Sequence, residues 1–245
     1  MRYLVMADIH ANVHALDAVL AAARAEGFDR TLVLGDVVGY GAHPNETIDR
    51  LVALPDVTSV RGNHDKVAAG LAAPADFTAV ARDGANWTIG ILTEVHKAYL
   101  AGLPTGPVVV SEDIEICHGT PDDEDEYVLD SLDALRALRV CSRPLCLYAH
   151  THVPAAYSLS GSTLGYVETA SHEVMSLTPG TTYLVNVGSV GQPRDGDARA
   201  AFGILDATAR AIRFHRVAYD VAAAEAAIRS AGLPEALAAR LGRGR

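Results

Sequence analysis

Apolar residues come in short runs with two kinds of spacing. Tyr3 to Ala7, Thr31 to Leu34 and Val57 to Val60 are continuous β-prone stretches and read as buried strands. Between the first two, Leu16, Val19, Leu20 and Ala23 recur at helical spacing, with Asn12 as N-cap and Gly27 as the stop. A second helix is expected near Glu46 to Ala53, and the third strand ends at Arg61. This β-α-β-α-β opening predicts parallel strands with helices packed against them. The first helix would aim its unpaired amides at whatever Asp8 and His10 hold, a natural phosphate seat. Residues 66 to 104 read as a helical rim with Trp87 and Leu92 on apolar faces. After Gly106 strands follow at short spacing, over 107–117, 145–149, 153–159, 163–168, 182–187, 201–206 and 210–217, and an Ala-rich helical tail over 221–241 closes the chain. Two packed sheets with helices outside are the expected result.

Composition supports one domain over residues 1–245. With 49% hydrophobic residues the chain can bury a sizeable core, and Gly and Pro are not gathered into a linker. The longest apolar run is six residues, Ala18 to Ala23, against the roughly 18 to 20 that span a bilayer. No membrane association is expected, and the polar Asp8 and His10 so close to the start argue against a secretory signal, so a cytoplasmic protein is the expectation. Cys117, Cys141 and Cys146 are an odd count with no C-x-x-C, which disfavours a disulfide framework or a thiolate zinc site. They are expected to be reduced and buried.

The strand-like runs matter most for the residues at their ends. Asp8-x-His10, Gly35-Asp36, Gly62-Asn63-His64-Asp65, His118-Gly119 and His150-Thr151-His152 each stand just past an apolar stretch. In an open α/β sheet such positions collect at one edge, where sites form. Asp8, His10, Asp36, Asn63, His118, His150 and His152 offer more oxygen and imidazole donors than one ion needs. Hard oxygens mixed with imidazoles suit Mn²⁺, Fe²⁺ or Zn²⁺. Two such ions about 3.5 to 4 Å apart need a bridging carboxylate, for which Asp36 is the best candidate, and a shared water between them can lose a proton near neutral pH. Phosphoester hydrolysis is the expected reaction. The net charge of −10 works against long nucleic acid, which needs neutralising Lys and Arg. A small phosphorylated substrate escapes that objection, because two divalent cations beside two carboxylates leave a local charge of about +2.

The ordered set D-x-H, G-D, G-N-H-D, H and H-x-H resembles the calcineurin-like metallophosphoesterase family over most of residues 3 to 194. The resemblance implies an α/β fold, a four-layer αββα sandwich of two mixed β-sheets flanked by helices. It implies one metal held by Asp8, His10, Asp36 and His152, and a second by Asp36, Asn63, His118 and His150. Manganese is the first expectation, with iron, zinc or nickel as alternatives. His64 would contact the phosphate and assist the leaving group, with Asp65 orienting its imidazole. Asp36-Val37-Val38-Gly39-Tyr40-Gly41 with Pro44-Asn45-Glu46, then Ala85-Asn86-Trp87-Thr88 and Asn186 to Arg194, resemble more narrowly the YfcE-like prokaryotic phosphodiesterases. Two residues depart from the family pattern: Ala149 stands where Gly usually precedes the final H-x-H, and Ala11 where Gly usually follows the first histidine. Ala149 fits only with negative φ.

Each residue also has a plainer reading. Acids and histidines after strands serve as turn and capping residues, and Asp65 can cap the helix after it. Asn12 and Tyr40 stand near the expected ligands and can line a phosphate pocket. Arg194 can reach a phosphate as a bidentate donor, or pair with Asp195 or Asp197 on the surface. The acidic run Asp122 to Glu126 reads as a solvated loop, with repulsion of polyanions or an extra cation as alternatives. The tail is a packed helix or a contact in a homo-oligomer. Among functions, a dinuclear hydrolase of small phosphate esters, a phosphodiesterase or phosphatase, comes first. A dinucleoside polyphosphate hydrolase is its rival, and a non-catalytic scaffold of the same fold or a nuclease on long DNA are more distant readings.

Overall fold

A computed structural model describes residues 1–167, 169 and 173–245; Glu168, at the end of one expected strand, and His172 lie outside the described residues. The opening is as expected: β1 (Arg2–Met6), α1 (Val13–Glu26), β2 (Arg30–Val33), α2 (Pro44–Val52) and β3 (Val57–Ser59), with β1, β2 and β3 parallel. Asn12 caps α1 by accepting from the Ala15 amide, and Gly27 ends it at φ 78°, a conformation that a side chain would strain.

Alternation along β1 shows why there are layers. Leu4 and Met6 pack with Leu16, Val19 and Leu20 of α1 and with Ile48 and Leu51 of α2. Tyr3 and Val5, pointing the opposite way, pack against a second sheet. In that second sheet Leu145 and Leu147 face the first, while Cys146 and Tyr148 face outward onto Ala134, Ala137 and Leu138. The result is helices, sheet, sheet, helix: two mixed six-stranded sheets in a sandwich.

The remaining elements are α3 (Asn63–Ala68), α4 (Ala79–Ile91), α5 (Glu94–Ala101), β4 (Val108–Val109), β5 (Ile114–Ile116), α6 (Ser131–Val140), β6 (Leu145–Tyr148), β7 (Ala155–Ser160), β8 (Thr163–Val167), β9 (Val174–Ser176), β10 (Thr182–Asn186), β11 (Ala200–Asp206), β12 (Ala211–Val217), α7 (Val221–Ser230) and α8 (Glu235–Ala239). The first sheet runs β3-β2-β1-β11-β12-β9 and the second β4-β5-β6-β10-β7-β8.

Several expectations need correction. The stretch 107–117 is not one strand but the antiparallel pair β4 and β5, because the polar Ser111-Glu112-Asp113 turns the chain. The tail is not one helix: Gly232, at φ 71°, and Pro234 break it into α7 and α8 before a 3₁₀ turn over Leu241–Arg243. It packs inward, with Leu237 and Leu241 clustering beside Tyr40 and Trp87. Neither α6 nor β9 was expected; α6 is set by Asp130, whose carboxylate caps it on the Leu132 and Asp133 amides. All three cysteines are free, Cys117 and Cys146 buried and Cys141 half-buried. No described helix is long and apolar enough to cross a membrane.

Candidate active site

Every loop that follows β1, β2, β5 or β6 opens at the same edge of the sandwich. The loops after β1 and β2 are zipped together: Asp8, His10 and Ala11 donate their amides to the carbonyls of Gly35, Asp36 and Val37 at 2.9 to 3.1 Å. Asp8, His10, Ala11, Asp36, Tyr40, His150 and His152 are held at φ between 49° and 69°, the left-handed region that costs a side chain about 1 kcal/mol or more. So many strained positions at one rim mark a site whose geometry the surrounding structure enforces. Ala11 thus accepts the conformation for which Gly is the easier residue, whereas Ala149 stays outside that region and needs no Gly.

Two groups of donors converge here. Asp8, His10, Asp36 and His152 each place a ligand atom within 4.8 Å of the others, and so do Asp36, His118 and His150. Asp36 belongs to both, with Oδ2 3.5 Å from the Nε2 of His10 and equally far from that of His118. All six are buried. Asn63 begins α3 and lines the same cleft, its Oδ1 buried and unpaired, as is Oδ2 of Asp8.

Hydrogen bonds behind the imidazoles test whether cations fit. His10, His118 and His152 donate Nδ1–H to the carbonyls of Val38, Leu34 and Gln192 at 3.0, 2.7 and 2.7 Å, which turns each Nε2 toward the cluster. His150 is reversed: Nε2–H donates to the Asp125 carbonyl at 3.1 Å and Nδ1 faces inward. The inward nitrogens face each other at 3.1 Å in the pairs His10/His152 and His118/His150. Four inward nitrogens, two carboxylates and an orphaned amide oxygen crowd together around a space that positive charge, a proton on His118 or bound cations, must fill. The donor set fits two divalent ions.

The titration of these groups reflects the same crowding. Burial pushes the Asp8 carboxyl up to about 7 and lowers His150 to about 3. Burial opposes ionisation of Asp36 as well, but His118, His64 and His10 hold it well below the usual carboxylate range. His118 loses by burial and gains more from Asp36 and Asp8, ending at about 10.

The loop Asn186 to Arg194 is more than a turn-rich connection. Asn186 donates to the Ala149 carbonyl and accepts from the Gly188 amide, fixing the approach to His150. Ser189 donates to the Asp8 carbonyl at 2.7 Å and accepts from Gln192, whose own carbonyl holds His152. Gly191 lies so close to the Ile9 carbonyl that no Cβ fits.

His64 lines the cleft with its ring 4.3 Å from that of Tyr40 and 4.5 Å from Phe77; burial lowers it to about 4. Its Nδ1 is buried and unpaired. Asp65 does not orient it. The carboxylate accepts instead from the Gly62 and Val38 amides at 3.0 and 3.1 Å, which ties the start of α3 to the loop after β2. Asn12 likewise does not line the cleft: its side chain is turned to the Ala15 amide and the Gly191 carbonyl. The first turn of α1 is thereby capped from within the chain.

Tyr40 and Arg194 do line the cleft, a cavity of about 390 Å³ shared with Asp36, Asn63, His64, His150 and His152. Asp195 and Asp197 pair with Arg216 and Arg199, so Arg194 is not part of a surface ion pair. The acidic run is partly anchored: Glu124 accepts two bonds from Arg61 at 2.8 Å and one from Lys66, which also holds Asp125. Sequence reasoning missed Tyr127, stacked 3.7 Å from the His150 ring, together with Phe77 and Arg240. None carries a local motif; all three come from loops or the tail.

Comparison with known proteins agrees. An uncharacterised protein of Methanocaldococcus jannaschii is 34% identical over 250 residues, 98% of this chain and 97% of that relative. The crystal structure of a metallophosphoesterase from Sphaerobacter thermophilus superposes with a TM-score of 0.87 at 37% identity, over 100% of this chain and 99% of that one. A hypothetical protein from Pyrococcus horikoshii gives 0.81 at 22% identity over 100% and 98%, a likeness of fold. Residues 1–210, which carry all five motifs, match the calcineurin-like phosphoesterase superfamily domain, and with a rim able to hold the divalent pair which that superfamily uses, this chain belongs to it as a phosphoester-cleaving enzyme.

Proposed function

We propose that the protein hydrolyses small phosphate esters, as a phosphodiesterase or phosphatase of the YfcE-like kind, with Asp8, His10, Asp36 and His152 holding one divalent ion and Asp36, Asn63, His118 and His150 the other. The observation that carries this reading is the two pairs of facing imidazoles behind which backbone carbonyls have taken every outer N–H. When bound, the ions polarise the phosphoryl oxygens and activate a water. Manganese is favoured, and iron, zinc or nickel would suit the same donors.

The chain's own residues do the rest. His64 meets the substrate through Nε2, since Nδ1 is shut in against Gly39. Burial lowers the proton affinity of the ring, and a phosphate anion beside it would raise it again. A protonated ring can then give its proton to the leaving oxygen. Arg194 supplies a fixed cation at the cleft wall.

Turnover of bis-p-nitrophenyl phosphate, p-nitrophenyl phosphate and diadenosine tetraphosphate, each with Mn²⁺, ranks the diesterase, phosphatase and dinucleoside polyphosphate readings. Turnover of at least one is expected. Failure on all three across Mn²⁺, Fe²⁺, Zn²⁺ and Ni²⁺, with metals demonstrably bound, would overturn the proposal in favour of a scaffold.

A further inference from the structure

Two arginines that line the cleft both stack on one tyrosine. Cζ of Arg194 lies 5.9 Å from the centre of the Tyr40 ring and that of Arg240 lies 5.8 Å from it. The ring in turn lies 4.6 Å from that of His10 and 4.3 Å from that of His64, so both guanidiniums stand one side chain away from the reacting centre.

Neither arginine has a carboxylate partner among the described residues. Arg194 donates Nη2–H to Gln192 Oε1 at 3.0 Å, and its Nε is buried without a partner; Arg240 donates Nε–H to the Arg245 carbonyl at 2.7 Å. Of the acidic residues in the cleft, Asp36 belongs to the donor cluster and Asp125 is held by Lys66, which leaves Asp76 at the rim with no ion pair. The two half-buried cations feel each other: burial together with Arg194 holds Arg240 below the usual arginine range. Such a pair is stable when an anion joins it.

Arg240 is not there by accident of a loose terminus. Leu237, Ala238 and Leu241 around it pack into a cluster with Ile228 and Leu233, against Tyr40 and Trp87. It comes from the segment beyond residues 1–210, outside the stretch that matches the superfamily domain.

We infer that Arg194 and Arg240, seated over Tyr40, form a second anion subsite, and that the preferred substrates carry a further phosphoryl group next to the one that is cleaved. This rests on the hydrolytic reading above and narrows it toward phosphoanhydride-containing esters. Arg240 is the specificity residue, reaching the distal phosphate as a bidentate donor.

The test is inhibition of bis-p-nitrophenyl phosphate turnover by inorganic phosphate and by pyrophosphate, in the Mn²⁺-loaded full chain and in Arg240→Gln and Arg240→Lys. Pyrophosphate should inhibit the native protein at least about tenfold more strongly than phosphate, the effect of one added charge-assisted pair. Arg240→Gln should erase most of that preference and Arg240→Lys only part of it. Chelation by pyrophosphate acts equally on all three proteins. A native preference below about threefold overturns the inference without any variant, as does an equal change in both inhibition constants in Arg240→Gln. If Arg240→Gln fails to fold, the native ratio and Arg240→Lys decide. Should no ester be turned over, calorimetric titration of pyrophosphate and phosphate into the metal-loaded protein still decides the subsite while the hydrolytic reading falls.

Discussion

Replacing Gly62 by Ala tests how tightly the rim fixes Asp36, the carboxylate proposed to serve both ions. Gly62 sits at φ −103° and ψ 178°, ordinary extended backbone, so alanine adds no torsional strain there. The cost is purely one of space. A Cβ at that position would stand 2.7 Å from Cγ of Asp36 and closer still to its Oδ1, where ordinary contact begins near 3.4 Å. Asp36 must therefore retreat by roughly 0.7 Å or more, several times the tolerance of about 0.2 Å for a metal ligand. The retreat also breaks the 2.9 Å bond that its Oδ1 accepts from the His64 amide. Metal affinity should fall by about 10- to 100-fold and turnover of bis-p-nitrophenyl phosphate by about 100-fold. Metal content after gel filtration and steady-state rates in added Mn²⁺ measure both. Gly90→Ala is the control, since nothing lies within 4 Å of its Cβ and alanine favours a helix interior by about 0.5 to 1 kcal/mol. Full metal content with activity within threefold of native in Gly62→Ala would refute the placement of Asp36 at the shared position.

Asp36→Ala should lose both ions and all turnover, while His64→Ala should keep its metals and slow turnover by about 100- to 10,000-fold; equal metal loss in the two variants would deny them separate roles. Leu100→Ala, from a wholly buried position in α5, should cost about 2 to 5 kcal/mol in denaturant unfolding, and a loss under 1 kcal/mol would mean that α5 is not packed as described. Glu124→Gln should lower stability by about 1 kcal/mol at pH 7. Burial raises the Glu124 carboxyl, but Arg61 and Lys66 outweigh it and depress the folded value below 4.5; the stabilisation is therefore full above about pH 4.5 and fades as pH falls through the folded value. Thermal unfolding of both proteins from pH 7 to 3 should show the gap closing, and a constant gap would contradict the ion-pair account. Stripping metals with a chelator should lower the thermal midpoint and abolish turnover, with both restored by Mn²⁺, since ions that bind only the folded chain stabilise it by mass action.

Much of the fold and of the donor cluster is legible because each donor stands past a strand that its own apolar run announces, as Leu145 to Ala149 announces His150. The helical spacing of Leu16, Val19, Leu20 and Ala23 and the cap at Asn12 are equally local signals. The same locality misleads where one residue has two uses. Asn12 stands close enough in sequence to the ligands to suggest a phosphate contact, yet its side chain is turned to the Ala15 amide and the Gly191 carbonyl. Asp65 is the sequence neighbour of His64, while the nearest unsatisfied donors are the amides of Gly62 and Val38. Arg240 and Tyr127 reach the cleft only through tertiary packing, which no periodicity encodes. The narrow pair β4 and β5 is hidden because Val108 to Ile116 has nearly continuous β propensity and only three polar residues to mark its turn.

Holding seven side chains together at that left-handed rim costs something on the order of 7 kcal/mol, comparable to the whole net stability of a domain. The layers beneath must carry that load, so a change far from the cleft that loosens the sandwich would let the rim slacken as well.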